Sequence, residues 1–386
     1  MRNFTEEQNY FRESVRKFFE TEVAPHVKQA RINGIFDREL FRKAGEQGFL
    51  LIWADEKYGG MGDKDFRWEQ IFIEEAFRAG CAELFLTVHS RLVGPYLGNF
   101  ATEEQKQRWL PKCISGESIL AVAMTEPDAG SDLAGMRTTL VDAGDHFVLN
   151  GSKIYISNGI NSDLVIVAAK SDPDNNPHAM TLVVVERGME GFERGRNLEK
   201  MGLHAQDTAE LFFSDVKIPK ENMLGQRDMG FVHLMQGLAE ERLISAVGSV
   251  ANARVAFNLT RDYVMQRKVF GKPLSKMQNT QFKMAEMEAE IDVLEVYIDH
   301  CVQLSNTDLL SAEKAAVAKL QASEIEWKML DLGVQLHGGN GYMAEYEICQ
   351  MFQNSRINRI LAGSSEIMKL IIGRRIFSES YSSNMD

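Results

Sequence analysis

The chain contains no GxGxxG stretch, no CxxC pair, no HxxxH or HxH pair, and no apolar run as long as a bilayer span. Each absence removes a class of protein. Without GxGxxG, a Rossmann-type dinucleotide site has no support; the run Gly338-Gly339-Asn340-Gly341 has the wrong spacing and is flanked by helical pattern. The four cysteines, Cys81, Cys113, Cys301 and Cys349, are scattered, which suits reduced thiols rather than a disulfide framework or a zinc site. Cys301 and Cys349 read as core thiols. Eight histidines without ligand spacing give no candidate metal ligands. Cations are in the minority, with 43 Lys+Arg against 55 Asp+Glu, a net charge of −12 and a pI near 5.3. Such a field disfavours nucleic acid and anionic membranes, so a polyphosphate ligand needs local cations or backbone N–H groups. Residues 1–25 alternate acids and bases with Phe4, Tyr10, Phe11, Val15, Phe18 and Phe19. That reads as an amphipathic helix: a signal peptide carries an apolar core, and a transit peptide lacks acids. The C-terminal Ser-Asn-Met-Asp is not a peroxisomal address. The expected location is the cytoplasm or an equivalent reducing compartment.

What is present is an ordinary globular mix over 386 residues, 44% hydrophobic and 25% charged, enough for two or three domains. The apolar period changes twice. Residues 1–115 repeat at helical spacing, with helices expected over 6–23 (ended near Pro25), 37–48 (Asp37 as N-cap), 68–79 and 83–100 (broken near Pro95). A further helix opens on Thr102-Glu103-Glu104-Gln105. From about 116 to 228 the period is two. A hairpin is expected at 147–157, turning at Asn150-Gly151, with strands at 164–169, 181–186 and 210–218 and an exposed turn at 171–177. From 229 to 386 the helical period returns, with long helices over 231–265, 281–305 and 312–336. The expected fold class is α+β and multi-domain: an N-terminal helical domain (1–115), a small middle β-barrel (116–228) and a C-terminal four-helix bundle (229–386).

An apolar strand from 119 to 124 leads into Thr125-Glu126-Pro127-Asp128-Ala129-Gly130-Ser131-Asp132, a turn stiffened by Pro127 and permitted by Gly130. By itself this is ordinary β punctuation. Three more motifs follow in order: Arg267-Lys268-Val269-Phe270-Gly271-Lys272, Gln335-Leu336-His337-Gly338-Gly339-Asn340-Gly341-Tyr342, and Ala362-Gly363-Ser364-Ser365-Glu366-Ile367. Together with Met124-Thr125-Glu126-Pro127-Asp128-Ala129-Gly130-Ser131-Asp132, these resemble the signatures of the acyl-CoA dehydrogenase family, over nearly the whole chain. The segments 150–159, 200–213 and 335–342 are most similar to the long-chain type, with the isovaleryl-CoA type nearby.

The resemblance implies FAD, lying between the middle domain and the bundle. Thr125 and Ser157 would hydrogen-bond its ring system and Tyr155 would pack against it. Many relatives carry Trp and Thr at the last two positions; Tyr keeps an aromatic face and Ser a hydroxyl. Met124, Ser131, Ser364 and Glu366 belong to the same implied cofactor set. Arg267, Phe270 and Gln278, with the backbone of Gln335, Leu336, Gly338 and Gly339, match the part that holds the pyrophosphate and adenine from a neighbouring subunit. Val269 stands where some relatives have Thr, which removes one polar contact. His337 reads as structural.

The implied reaction is α,β-desaturation of an acyl-CoA thioester, with a carboxylate taking the α proton while the β hydride leaves for flavin N5. Most relatives place that carboxylate before the Gly of the last motif, where this chain has Ala362. The isovaleryl-CoA and long-chain types place a Glu before an Arg on the long helix instead. Here that segment is Ala239-Glu240-Glu241-Arg242. Read alone it is a solvated helix patch; with the resemblance, Glu241 is the expected base and Arg242 the substrate-side arginine. Ala362 can still offer a backbone N–H to the thioester carbonyl, with Gly363 beside it, and Ser131 would meet the CoA arm. Leu84 and Val88 are expected on the helix at the far end of the acyl pocket, where apolar residues favour a long or bulky tail. A glutaryl-type substrate would need a cation, and Arg91 is near. The expected assembly is a homotetramer, a dimer of dimers, passing electrons to an electron-transferring flavoprotein. Alternatives are a branched-chain (isovaleryl- or terpenoid-like) dehydrogenase, an acyl-CoA oxidase, and a non-catalytic acyl-CoA- or flavin-binding assembly protein.

Overall fold

The computed structural model describes residues 4–172, 176 and 179–378. Helix α1 (Glu6–Phe18) opens on a reciprocal cap: the Thr5 hydroxyl accepts from the Gln8 N–H, and the Gln8 side chain accepts from the Thr5 N–H. The helix does not end at Pro25. It passes through a wider π-type turn, Phe19–Val23, and resumes as α2 (Ala24–Asn33). Pro25 lies in the first turn of α2, where a missing N–H costs nothing. α3 (Glu39–Glu46) is shorter than expected, and the Asp37 carboxylate accepts from the Glu39 N–H at 2.9 Å. α4 (Phe66–Arg78) is capped by Asp65. Pro95 repeats the device of Pro25, with a π-type turn, Val88–Val93, running into α5 (Gly94–Phe100). α6 (Glu103–Ile114) carries the expected Thr102–Gln105 cap.

The middle region is one eight-stranded sheet. Its strands are β1 (Leu120–Ala123), β2 (Thr139–Asp142), β3 (His146–Ser157), β4 (Leu164–Lys170), β5 (Met180–Glu186), β6 (Phe192–Asn197), β7 (Thr208–Pro219) and β8 (Met223–Leu224). The order is β6-β7-β3-β2-β4-β5-β8, with β1 parallel to β4. β4 and β5 are buried on both faces. Val165, Val167, Ala169, Val183 and Val185 join the sheet's own core with Leu149 and Leu211. Their alternates Leu164, Ile166, Ala168, Leu182 and Val184 join the core of the N-terminal helices. The two-residue strand period thus fuses the β region to the helical one.

The hairpin expected at Asn150-Gly151 is absent. β3 runs straight through, and its register with β7 slips between Leu149 and Gly151. Asn-Gly here serves a bulge, not a turn. A Cβ at Gly151 would stand 2.4 Å from Thr138 Oγ1, so the close pass of the neighbouring segment demands glycine. The turn expected at 171–177 lies partly outside the described residues.

Beyond the sheet come α7 (Gly230–Gln266), a small ribbon of β9 (Lys268–Val269) and β10 (Lys272–Pro273), α8 (Gln278–Ser305), α9 (Ala312–His337), α10 (Glu347–Ser355) and α11 (Ser365–Ile376). Small residues such as Ala246, Ala253, Ala318 and Ala322 sit in the apolar clusters where α7, α8 and α9 meet. α11 lies against α9 and completes the bundle. The four cysteines are buried and unpaired. Among the described residues no helix is long and apolar enough to cross a membrane, and no His, Cys, Asp and Glu group could hold a metal ion.

Candidate active site

The turn after β1 is tied to β3 by a buried lysine. Lys153, whose side chain is fully buried, donates to the Met124 carbonyl at 3.0 Å and to Glu126 Oε1 at 2.8 Å. Burial works against the Glu126 charge, yet Lys153 and the N–H groups of Thr138 (3.0 Å) and Arg137 (2.5 Å) hold its carboxyl below the usual range. One residue on, the Ile154 N–H donates to the Thr125 carbonyl at 3.0 Å. β3 then slips a second time, between Lys153 and Ile156, and Tyr155 takes a left-handed φ of +62°. For a non-glycine residue that costs about 1 kcal/mol or more. The result is a Tyr155 ring turned outward and 65% exposed, while Thr125 and Ser157 are half-buried. These bonds hold the Met124–Thr125 backbone against Lys153 and Ile154, the residues just before Tyr155 and Ser157. Ser131 lies on the exposed part of the turn.

The three charges Glu240, Glu241 and Arg242 do not form a solvated patch. Glu241 is only 5% exposed, and Tyr96 of α5 donates its hydroxyl to Glu241 Oε1 at 2.8 Å. Burial pushes the Glu241 carboxyl up to about 7, against the downward pull of the Tyr96 hydrogen bond and the Arg242 charge. A turn earlier, a Cβ on Gly237 would stand 3.1 Å from the Tyr96 oxygen and 3.4 Å from Glu241 Oε1, so glycine leaves that space open. Arg242 is buried as well, and its Nε has no partner among the described residues. Glu240 turns the other way and pairs with Arg91, whose guanidinium lies over the Phe66 ring.

The last motif forms two consecutive left-handed residues, Ala362 (φ +52°) and Gly363 (φ +94°). The buried Lys319 of α9 donates to the Gly363 carbonyl at 2.7 Å. Burial and the nearby Arg242 charge pull its ammonium down to about 8. Ser364 caps α11 by accepting from the Ile367 N–H, and Glu366 lies exposed in that helix's first turn.

A second group gathers at the other end of α7. Arg267 ends the helix, Phe270 has φ +48° and is 98% exposed, and Gln278 opens α8 at the surface. Tyr263 bridges this turn to the motif after α9: its hydroxyl donates to the His337 carbonyl at 3.1 Å, and its ring stacks on His337 at 4.0 Å. Gln335 and Leu336 end α9, and nothing stands within 4 Å of a Cβ built on Gly338 or Gly339, so that backbone is open. His337 Nδ1 is bonded to the Gly333 carbonyl at 2.7 Å. Along α7, Arg267 lies roughly 39 Å from Glu241 at 1.5 Å per residue. One chain therefore holds the two groups far apart.

Leu84 is not on the helix assigned to it. It sits in a turn that begins at Cys81, and helical backbone starts only at Leu86. Its side chain belongs to the N-terminal core, at the edge of a small cleft with Phe36, Asn158 and Asp207. Val88 is half-buried against the same core. Sequence reasoning missed Tyr96, Lys319, Glu126 and Lys153. Two left a trace: Lys319 is a lone cation in Ala315-Ala316-Val317-Ala318-Lys319-Leu320, and Lys153 interrupts an apolar strand. Nothing local marks Tyr96.

A helical, a β and a second helical region in series, with a buried carboxylate on the long helix α7, make a three-part protein with a candidate proton acceptor at its centre. Comparison with known proteins makes this specific. The N-terminal, middle and C-terminal domains of acyl-CoA dehydrogenase match residues 5–117, 121–216 and 228–377. The chain belongs to the acyl-CoA dehydrogenase family. It is 44% identical to the mitochondrial long-chain specific acyl-CoA dehydrogenase of Mus musculus over 381 residues, 98% of this chain and 88% of that one. It is 35% identical to the mitochondrial isovaleryl-CoA dehydrogenase of Solanum tuberosum, over 97% of this chain and 92% of that one. A solved acyl-CoA dehydrogenase from Geobacillus kaustophilus superposes with a TM-score of 0.95 at 45% identity, covering 98% and 100% of the two chains. Another, from Bacillus anthracis, is complexed with FAD; it has a TM-score of 0.89 at 32% identity, covering 96% of this chain and 66% of that one. The chain is a flavoprotein oxidoreductase, and its cofactor is FAD. The residues present fit that group: the outward Tyr155 ring, with hydroxyl residues Thr125 and Ser157 on the adjoining segments, suits a planar heterocycle, and the open backbone of Gly338 and Gly339 suits a pyrophosphate.

Proposed function

We propose that the protein desaturates an acyl-CoA thioester between Cα and Cβ, giving the trans-2-enoyl-CoA, with Glu241 as the base. The observation that carries this reading is the Glu241 environment. Its carboxyl is buried, hydrogen-bonded by Tyr96 and poised near 7, while the position usually acidic in relatives is Ala362. A base titrating near the working pH is half ionised yet strong enough to take a weakly acidic proton. Bound FAD supplies the two-electron acceptor for the β hydrogen. Thr125 and Ser157 would hold its ring by hydrogen bonds and Tyr155 would cover one face.

The chain's own task at the thioester is to acidify Cα–H and receive the proton. As that bond breaks, charge grows on the carbonyl oxygen, and the Ala362 N–H would donate to it. Arg242 keeps a positive charge beside Glu241 and favours its ionised form. Ser131 would meet the CoA arm. Arg91 is already paired with Glu240, so a distal carboxylate on the substrate would have to displace that partner; this disfavours a glutaryl-type acyl group. A long or bulky acyl tail fits the likeness to the long-chain relative. A branched tail is the second reading, since isovaleryl-type relatives align over the same span. The buried carboxylate argues against a non-catalytic assembly protein.

The separation of roughly 39 Å along α7 between Glu241 and Arg267 supports sites completed between subunits. Arg267, Phe270, Gln278 and the 335–339 backbone would then serve a neighbour's cofactor, in a dimer of dimers. An electron-transferring flavoprotein is the proposed acceptor. The test is anaerobic titration of the yellow protein with straight and branched acyl-CoAs of graded length. Bleaching that is fastest with long or bulky chains, and re-oxidation by the flavoprotein rather than by oxygen, is expected. Persistent colour with every thioester would overturn the reading, and rapid re-oxidation by oxygen would indicate an oxidase.

A further inference from the structure

The loop carrying Ala362 and Gly363 is held by one helix. Along α9, Lys319 donates to the Gly363 carbonyl at 2.7 Å, Glu324 accepts from Arg359 Nε at 2.9 Å and from the Ser365 hydroxyl at 3.0 Å, and Glu326 accepts from Asn358 Nδ2 at 2.8 Å. Asn358, Arg359 and Ser365 bracket the two left-handed residues, and the fourth tied residue, Gly363, is one of them. Glu326 is itself fully buried and also accepts from Asn252 of α7 at 2.6 Å. Of these ties, the one from Lys319 is nearest the turn and the one whose donor side chain is wholly buried.

We propose that Lys319 is a positioning residue for the reaction: by holding the Gly363 carbonyl, it fixes the left-handed Ala362–Gly363 turn so that the Ala362 N–H points at the thioester oxygen. The inference rests on the desaturase reading above. Three observations support it. A buried ammonium is expensive to keep, and here it is spent on a backbone carbonyl rather than paired directly with a carboxylate. Ala362 sits at φ +52° without being glycine, so the turn needs an outside hold to persist. Lys319 also lies close enough to Arg242, the residue that follows Glu241, for their charges to interact. A hydrogen-bond donor aimed at the developing oxyanion acts through geometry, so small displacements of its peptide lose much of its effect.

The test separates acidification from binding and folding. An acyl-CoA analogue with sulfur in place of the β carbon can lose its α proton but cannot pass on a hydride. Its enolate gives a long-wavelength absorption beside oxidised flavin, and the pH midpoint of that band reads α-proton acidity. Lys319→Met keeps an unbranched stem one atom shorter and removes the donor. The expected result is a midpoint raised by one pH unit or more, with analogue affinity changed less than threefold and FAD retained. Lys319→Arg, which restores a cation and a donor, is expected to recover at least half of the shift. If Lys319→Met does not hold flavin, Lys319→Leu, which is also neutral and without a donor, replaces it with the same expectation. An unmoved midpoint in the variant that folds overturns the proposal. Wild type that bleaches with acyl-CoA while the variant's midpoint stays put removes this inference alone. Wild type that neither bleaches nor gives the band removes the desaturase reading beneath it.

Discussion

Replacing Tyr96 by Phe removes one hydroxyl and leaves the ring in the N-terminal core. In the wild type that hydroxyl donates to Glu241 Oε1 at 2.8 Å, in a site where burial already pushes the carboxyl up to about 7. A hydrogen bond to a charged group is worth about 1.5–3 kcal/mol, and 1.36 kcal/mol is one pKa unit, so the loss raises the Glu241 pKa by about 1–2 units. The base acts in its ionised form. Bleaching rate at low substrate therefore rises with pH through the Glu241 pKa, and the variant's rise moves to about 8–9. At pH 7 about half of the wild-type carboxyl is ionised, whereas the variant retains roughly 1–10% in that form, so its rate falls about 5- to 50-fold. Near pH 9.5 the two rates converge. Anaerobic rapid mixing across pH 5.5–9.5, with FAD content checked by absorbance, measures this. An acid limb that stays in place, moves down, or is replaced by a uniform loss at every pH would refute the reasoning.

Other consequences are open to test. Lys153→Met leaves Glu126 buried without its cation; the loss is about 3–5 kcal/mol, seen as a lower melting temperature and weaker FAD retention. Gly237→Val places atoms where a Cβ alone would stand 3.1 Å from the Tyr96 oxygen, so bleaching slows at least tenfold while the protein stays folded by circular dichroism. Glu75 is buried, yet the guanidinium groups of Arg16, Arg78 and Arg12 draw its carboxyl down to about 2. Its folded pKa lies below the unfolded one, so its contribution, about 1–3 kcal/mol, is complete above pH 4.5 and is lost as pH falls toward 2. Calorimetry should show wild type losing stability over that range faster than Glu75→Gln.

Much of the fold was legible because periodicity is a local property. The switch from helical spacing to alternation near 116, and back near 229, follows from which residues face a core, and the long helices fall close to their expected limits. The failures were at residues with two uses. Pro25 and Pro95 read as helix stops, but each is tolerated in the first turn of a helix that a π-type turn has restarted. Asn150-Gly151 reads as a hairpin turn; only the approach of Thr138, from a different part of the chain, shows why glycine is needed inside a strand. At the site, the motifs pointed to Glu241, but Glu240 and Glu241 are indistinguishable in a helix read alone. Arg91 and Tyr96, about 145 residues away, assign one to an ion pair and the other to a buried hydrogen bond. Lys319 owes its significance to a carbonyl 44 residues later.

The central claim is tested most directly by single-turnover bleaching of the Glu241→Gln protein, loaded with FAD and saturated with the best acyl-CoA. The variant is expected to bind FAD and thioester as the wild type does, and to bleach about 10²- to 10⁴-fold more slowly at every pH. Bleaching at the wild-type rate would mean that another group takes the α proton, and the assignment of the base to α7 would be wrong.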